Sequence, residues 1–172
     1  MKAAALCLTI TVACAHSAFA QSEGLTLLFH PDSTTISEAD QRAIFDALEY
    51  SVSADGASLE VVDCGPIYAR ATEADLDGDG VAEVFVLGGN TCTSGMDGST
   101  ITLWTKNADG SYAMNLGFPA GGWTVLETSN MGYPDLAIGG AGFCEAVWRW
   151  DGTSYQQHGT RETEPGGCNG IG

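Results

Sequence analysis

A mainly β fold, with antiparallel strands in two blade-like repeats and one N-terminal helix at about residues 37–49, follows from three observations. Short runs of β-branched and aromatic residues, punctuated by glycine, fill the chain after residue 56. Only one stretch, ahead of them, carries the apolar period of an amphipathic helix. A strand pattern followed by Gly-Gly and a cysteine occurs twice, at an offset of 52 residues.

The N-terminus reads as an export leader. Met1 and Lys2 give a positive start, Ala3 to Ala13 runs apolar, and Ala18-Phe19-Ala20 supplies the small residues of a cleavage site before Gln21. The apolar run is too short to span a bilayer core of ~30 Å. Lipidation at Cys14, within Val12-Ala13-Cys14, is the alternative, although Thr11 stands where that motif favours leucine. The expected product, residues 21–172, is a single domain with a helical lead-in (21–56), a repeat-like region (57–150) and a disulfide-tied tail (151–172).

Within the lead-in, Leu25-Thr-Leu-Leu-Phe29 reads as a strand that His30-Pro31-Asp32 breaks. The helix follows over residues 37–49. Ser37 is placed to cap it, with Asp40 three positions on, and Ala39, Ala43, Ile44, Ala47 and Leu48 form one apolar face. Strands are expected at Leu59–Val62, Ile67–Ala71, Glu83–Leu87, Thr100–Thr105, Tyr112–Leu116, Trp123–Glu127, Asp135–Ile138, Ala146–Trp150 and Ser154–Gln157. Asn107-Ala-Asp-Gly110 and Asp151-Gly152 supply turns between them. The repeat pairs Glu83-Val-Phe-Val-Leu-Gly-Gly, leading to Cys92, with Asp135-Leu-Ala-Ile-Gly-Gly, leading to Cys144. A closed propeller needs at least about four blades, more than this chain supplies.

Charge and cysteines bound the function. The 172 residues carry 22 Asp and Glu against 6 Lys and Arg, a net charge of −16. Without the leader the balance is −17. So acidic a surface repels phosphates and anionic lipid, which argues against nucleic acid and against docking on a lipid surface and favours cations or a basic protein. No segment after the leader is long and apolar enough for membrane insertion. Cys64, Cys92, Cys144 and Cys168 remain, an even number that predicts two disulfides with three possible connectivities in an oxidising compartment. Nearest-neighbour pairing, Cys64–Cys92 and Cys144–Cys168, closes loops of about 25–29 residues. Cys92–Cys144 is its main rival. No C-x-x-C pair suggests zinc.

The chemistry concentrates in Asp75-Leu-Asp77-Gly-Asp79-Gly80-Val81-Ala-Glu83. Carboxylates at positions 1, 3, 5 and 9 of a tight loop, with the Val81 carbonyl at position 7, offer the oxygen ligands of one Ca²⁺. Val86 stands where an EF-hand needs its bidentate acid, so that motif fails. The loop resembles instead the calcium loop of FG-GAP/VCBS-type repeats of integrin-like β-propeller proteins, which commonly carry Asp where this chain has Glu83. The resemblance implies one ion held by Asp75, Asp77, Asp79, Val81 and Glu83. It covers about residues 73–92 well and 127–144 loosely. In the second copy Thr128-Ser-Asn130-Met131-Gly132 replaces the acids between Glu127 and Asp135, so a second ion is not expected.

Catalytic constellations are thin. His30 and His158 lie near no nucleophile motif, and no G-x-S-x-G, Walker loop, H-E-x-x-H or dinucleotide fingerprint occurs. Trp148 and Trp150 share one strand face by alternation and read as core, not as a sugar platform. The sequence thus predicts a periplasmic or secreted, calcium-stabilised binding module without catalytic activity, acting on a protein or glycan partner. An acidic inhibitor or immunity-type protein that blocks a basic exported enzyme such as a lysozyme is the alternative. A glycoside hydrolase using clustered carboxylates is a remote one.

Overall fold

The computed structural model describes residues 22–30, 34–140 and 142–170. The expected leader, residues 1–20, lies outside them. Two helices lead: α1 over residues 22–28 and α2 over Glu38–Ala47. Ten strands follow: β1 Ser51–Val52, β2 Leu59–Val61, β3 Gly65–Ala74, β4 Glu83–Gly89, β5 Thr100–Lys106, β6 Tyr112–Pro119, β7 Gly122–Asn130, β8 Tyr133–Gly139, β9 Cys144–Trp150 and β10 Tyr155–Glu162. A one-turn helix, α3 (Thr91–Ser94), sits between β4 and β5.

The strands form two antiparallel meanders. The first sheet runs β1-β2-β3-β4-β5-β6 and the second β10-β9-β8-β7. Four strands of the first, β3 to β6, and all four of the second give the two blade-like units, with β4 and β8 as the equivalent strands. All nine strands expected after residue 56 are present, and β10 carries the second unit past residue 150. β1, at two residues, has too little sequence to announce itself.

Three layers result: helices, first sheet, second sheet. Along β4, Val84 and Val86 turn to the helices, where they meet Leu25, Leu28, Phe29, Ile44 and Phe45. Phe85 turns the other way and joins Ile101, Leu103, Leu116, Leu136 and Ile138 between the sheets. A strand covered on both faces is apolar throughout, which explains the unbroken Val-Phe-Val-Leu run. Phe118 stacks on Trp148 at 4.9 Å and Tyr133 on Trp150 at 4.3 Å, so both tryptophans of β9 pack, partly buried, against the core between the sheets, on the one face their alternation predicted.

One expected element is corrected. Residues 25–29 lie on α1 and its end, not in a strand. The Phe29 N–H donates to the Leu25 carbonyl at 2.7 Å, and Leu25, Leu28 and Phe29 are buried together at helical spacing. A five-residue run with four apolar side chains fits either period, and packing against α2 decides it. α2 itself starts where expected, with the Ser37 hydroxyl accepting from the Asp40 N–H at 3.2 Å.

Both disulfides follow nearest-neighbour pairing. Cys64–Cys92 ties the β2–β3 turn to α3, with Cα atoms 5.6 Å apart. Cys144–Cys168 ties the start of β9 to the tail, at 4.8 Å. Among the described residues no helix is long and apolar enough to cross a membrane.

Candidate metal centre

Residues 75–82 join β3 to β4. The last rung of that ladder pairs Ala74 with Glu83, so Glu83 points the same way as Phe85, into the space between the sheets, and is only 3% exposed. The loop winds around its own carboxylates. Asp75 accepts from the Gly78 N–H through Oδ1 at 2.8 Å and from the Gly80 N–H through Oδ2 at 3.0 Å. Asp77 Oδ1 accepts from the Asp79 N–H at 3.2 Å. Gly78 and Gly80 hold positive φ values of 77° and 86°, which lets the backbone turn twice within so few residues.

This winding brings carboxylate oxygens of Asp75, Asp77 and Glu83 within 4.8 Å of one another. Asp79 is not in that group; its Oδ1 accepts from the Val81 N–H at 2.7 Å. Val81 itself is exposed on the loop. Three acids so close, with oxygen as the only donor type, form a set that could hold a hard cation.

The electrostatics of Glu83 reinforce the point. Its Oε2 accepts from the Leu76 N–H at 2.8 Å and its Oε1 from the Tyr133 hydroxyl at 3.2 Å. Burial nevertheless pushes its carboxyl above the usual range, and the negative charge of Asp77 adds to this. Among the described residues no basic side chain forms an ion pair with Asp75, Asp77 or Glu83. The same negative field is felt nearby. Tyr112, whose hydroxyl donates to the Ala82 carbonyl at 2.6 Å, is pushed up to about 12 by burial and by surrounding acids that include Glu83 and Asp79.

The second unit supplies an internal comparison. Asp135, 52 residues after Glu83, is the third residue of β8 and is 1% exposed. Its carboxylate accepts from Arg149 Nε at 2.9 Å and Arg149 Nη2 at 2.6 Å, and from the Thr128 hydroxyl at 2.6 Å. The Arg149 hydrogen bonds hold its carboxyl below the usual range. Extending each ladder by one rung places Arg149 beside Asp135 and Thr105 beside Glu83. The acidic loop is also gone: β7 runs on to Asn130, which pairs with Tyr133 across a two-residue turn. In that turn Met131 and Gly132 hold positive φ values of 52° and 91°. The second unit thus meets its buried carboxylate with a guanidinium, where the first meets it with further carboxylates.

Sequence reasoning singled out the acids but missed Tyr133 and Arg149. Arg149 had a signal: between two inward tryptophans, alternation turns it to the face that carries Asp135. Tyr133, 50 residues from Glu83 and on another sheet, had none. Compared with known protein families, with curated proteins and with solved structures, the chain matches none. The resemblance to calcium-loop repeats rests on the motif and on the strand it opens.

Proposed function

We propose that the protein is an exported, calcium-stabilised interaction module whose ion orders the 75–82 loop. Asp75, Asp77 and Glu83 form the centre of the site, with Asp79, the Val81 carbonyl and water as further oxygens. The observation that carries this reading is the contrast between Glu83, buried beside two other acids, and Asp135, buried against Arg149. A divalent cation supplies at Glu83 the countercharge that Arg149 supplies at Asp135. Calcium suits a flexible all-oxygen loop better than Mg²⁺, which demands a tighter octahedron and dehydrates reluctantly. The two disulfides fit an oxidising, periplasmic or secreted setting.

Thermal melting with calcium and with EDTA tests it. At about 100 times the dissociation constant, binding adds roughly 2.7 kcal/mol, or about 5–10 °C for a chain of this length. Asp77→Ala should remove most of that shift and leave the melting point in EDTA little changed. Equal wild-type melting in both buffers would end the calcium reading.

The net charge of −16 favours a second reading, an inhibitor of a basic exported enzyme. Titration against a lysozyme tests it through stoichiometric loss of turnover.

A further inference from the structure

We infer that Tyr133 is a positioning residue of the cation site, and that through it ion binding fastens the second sheet to the first. The inference rests on the calcium reading of the loop and extends it across the molecule. Asp75, Asp77 and Glu83 all belong to the first unit, whereas Tyr133 opens β8 of the second. Its hydroxyl donates to Glu83 Oε1 at 3.2 Å, while the Leu76 N–H occupies Oε2 at 2.8 Å. The two donors, one from the loop of the first unit and one from the second sheet, fix the carboxylate, as hydrogen bonds outside the coordination sphere orient a metal ligand.

Tyr133 is itself held firmly. Its ring stacks on Trp150 at a centroid distance of 4.3 Å and meets Tyr155 edge-on at 6.2 Å. The Tyr155 hydroxyl donates to the Pro134 carbonyl at 2.9 Å, which ties β10 to β8 beside the site. A cation drawing Glu83 toward Asp75 and Asp77 therefore acts on a carboxylate anchored to the aromatic cluster of the second sheet. Without the cation, mutual repulsion of the acids works against the same anchor.

Calcium affinity measured calorimetrically on Tyr133→Phe tests this, with Tyr155→Phe as the control. Tyr133→Phe keeps the stacked ring and removes only the hydroxyl; matching near-ultraviolet circular dichroism in EDTA establishes that the fold is kept. The expected result is an affinity about 10–100-fold weaker for Tyr133→Phe, with Tyr155→Phe unchanged. A loss of less than tenfold in Tyr133→Phe, or an equal loss in both variants, overturns the inference. The wild type gives an independent readout: calcium chloride should alter the near-ultraviolet band of the Trp150–Tyr133 pair at the concentration where heat is released. Heat without a change in that band overturns the inference and leaves the calcium site standing. Neither heat nor change removes the calcium site itself.

Discussion

Glu83 and Asp135 hold the same place in their units, yet only one has an arginine for company. Burying a carboxylate is costly unless a charge or several hydrogen bonds compensate. At Asp135 the compensation is internal: a two-pronged guanidinium contact plus the Thr128 hydroxyl. Truncating Arg149 leaves an uncompensated charge on a residue that is 1% exposed. Arg149→Met should therefore destabilise the fold at neutral pH, though by less than breaking a fully buried pair does, because the arginine is itself partly exposed. The pH dependence follows from the direction of the shift. Asp135 is held below its ordinary range, so its contribution is complete above the unfolded value of about 3.9 and disappears as pH falls through the lower folded value. Urea unfolding of wild type and Arg149→Met should thus differ most at pH 7 and converge toward pH 3. A difference that holds constant over that range would show that Arg149 acts by packing alone.

At the scale of elements, β4 is the strand on which both cores and the candidate site depend. Its two faces serve the helices and the second sheet, and its first residue is Glu83. Close approach near its far end explains a glycine. A Cβ on Gly88 would stand 2.7 Å from Ala69 Cβ, 2.8 Å from the Tyr50 hydroxyl oxygen and 3.2 Å from Ala69 Cα. Backbone on β3 cannot yield as a flexible side chain can, so Gly88→Ala should cost about 1–3 kcal/mol. Chemical denaturation measures this directly, and an unchanged midpoint would mean that β3 and β4 separate freely. The Gly-Gly that marks the repeat in the sequence is, at Gly88, a packing requirement. Most elements were legible in this way, because glycine-bounded β runs and a capped amphipathic helix are local signals. α1 was not, because the four apolar residues in and just after it fit two periods and only contact with Phe45 and Ile44 separates them. The three converging acids were legible from spacing within one loop. Tyr133 was not, because its partner is set by how the sheets stack.

On the scale of the whole molecule, the question is how two blade-like units stand without a closed ring. One face of the first sheet is covered by α1 and α2. The outer face of the second sheet has no such cover among the described residues, and it carries ion pairs instead: Arg149 with Asp135, and Arg161 with Glu145 on the neighbouring strands. A polar outer face limits the stacking of a further sheet on it. These pairs use up much of the positive charge available. Arg42, Lys106, Arg149 and Arg161 all face carboxylates, out of 6 Lys and Arg in the chain against 22 acids. The remaining acids repel one another, which opposes compaction. Salt should relieve that repulsion, since the screening length falls from ~30 Å at 0.01 M to ~10 Å at 0.1 M and ~3 Å at 1 M. In EDTA the melting temperature should rise with sodium chloride, most steeply between 0.01 and 0.1 M, where screening first reaches inside the dimensions of the domain. With calcium bound, the rise should be smaller, because the ion has already neutralised charge where the acids are closest. Melting in EDTA that falls with added salt would mean that the four ion pairs outweigh the excess of carboxylates, and that the acidity is no burden on the fold.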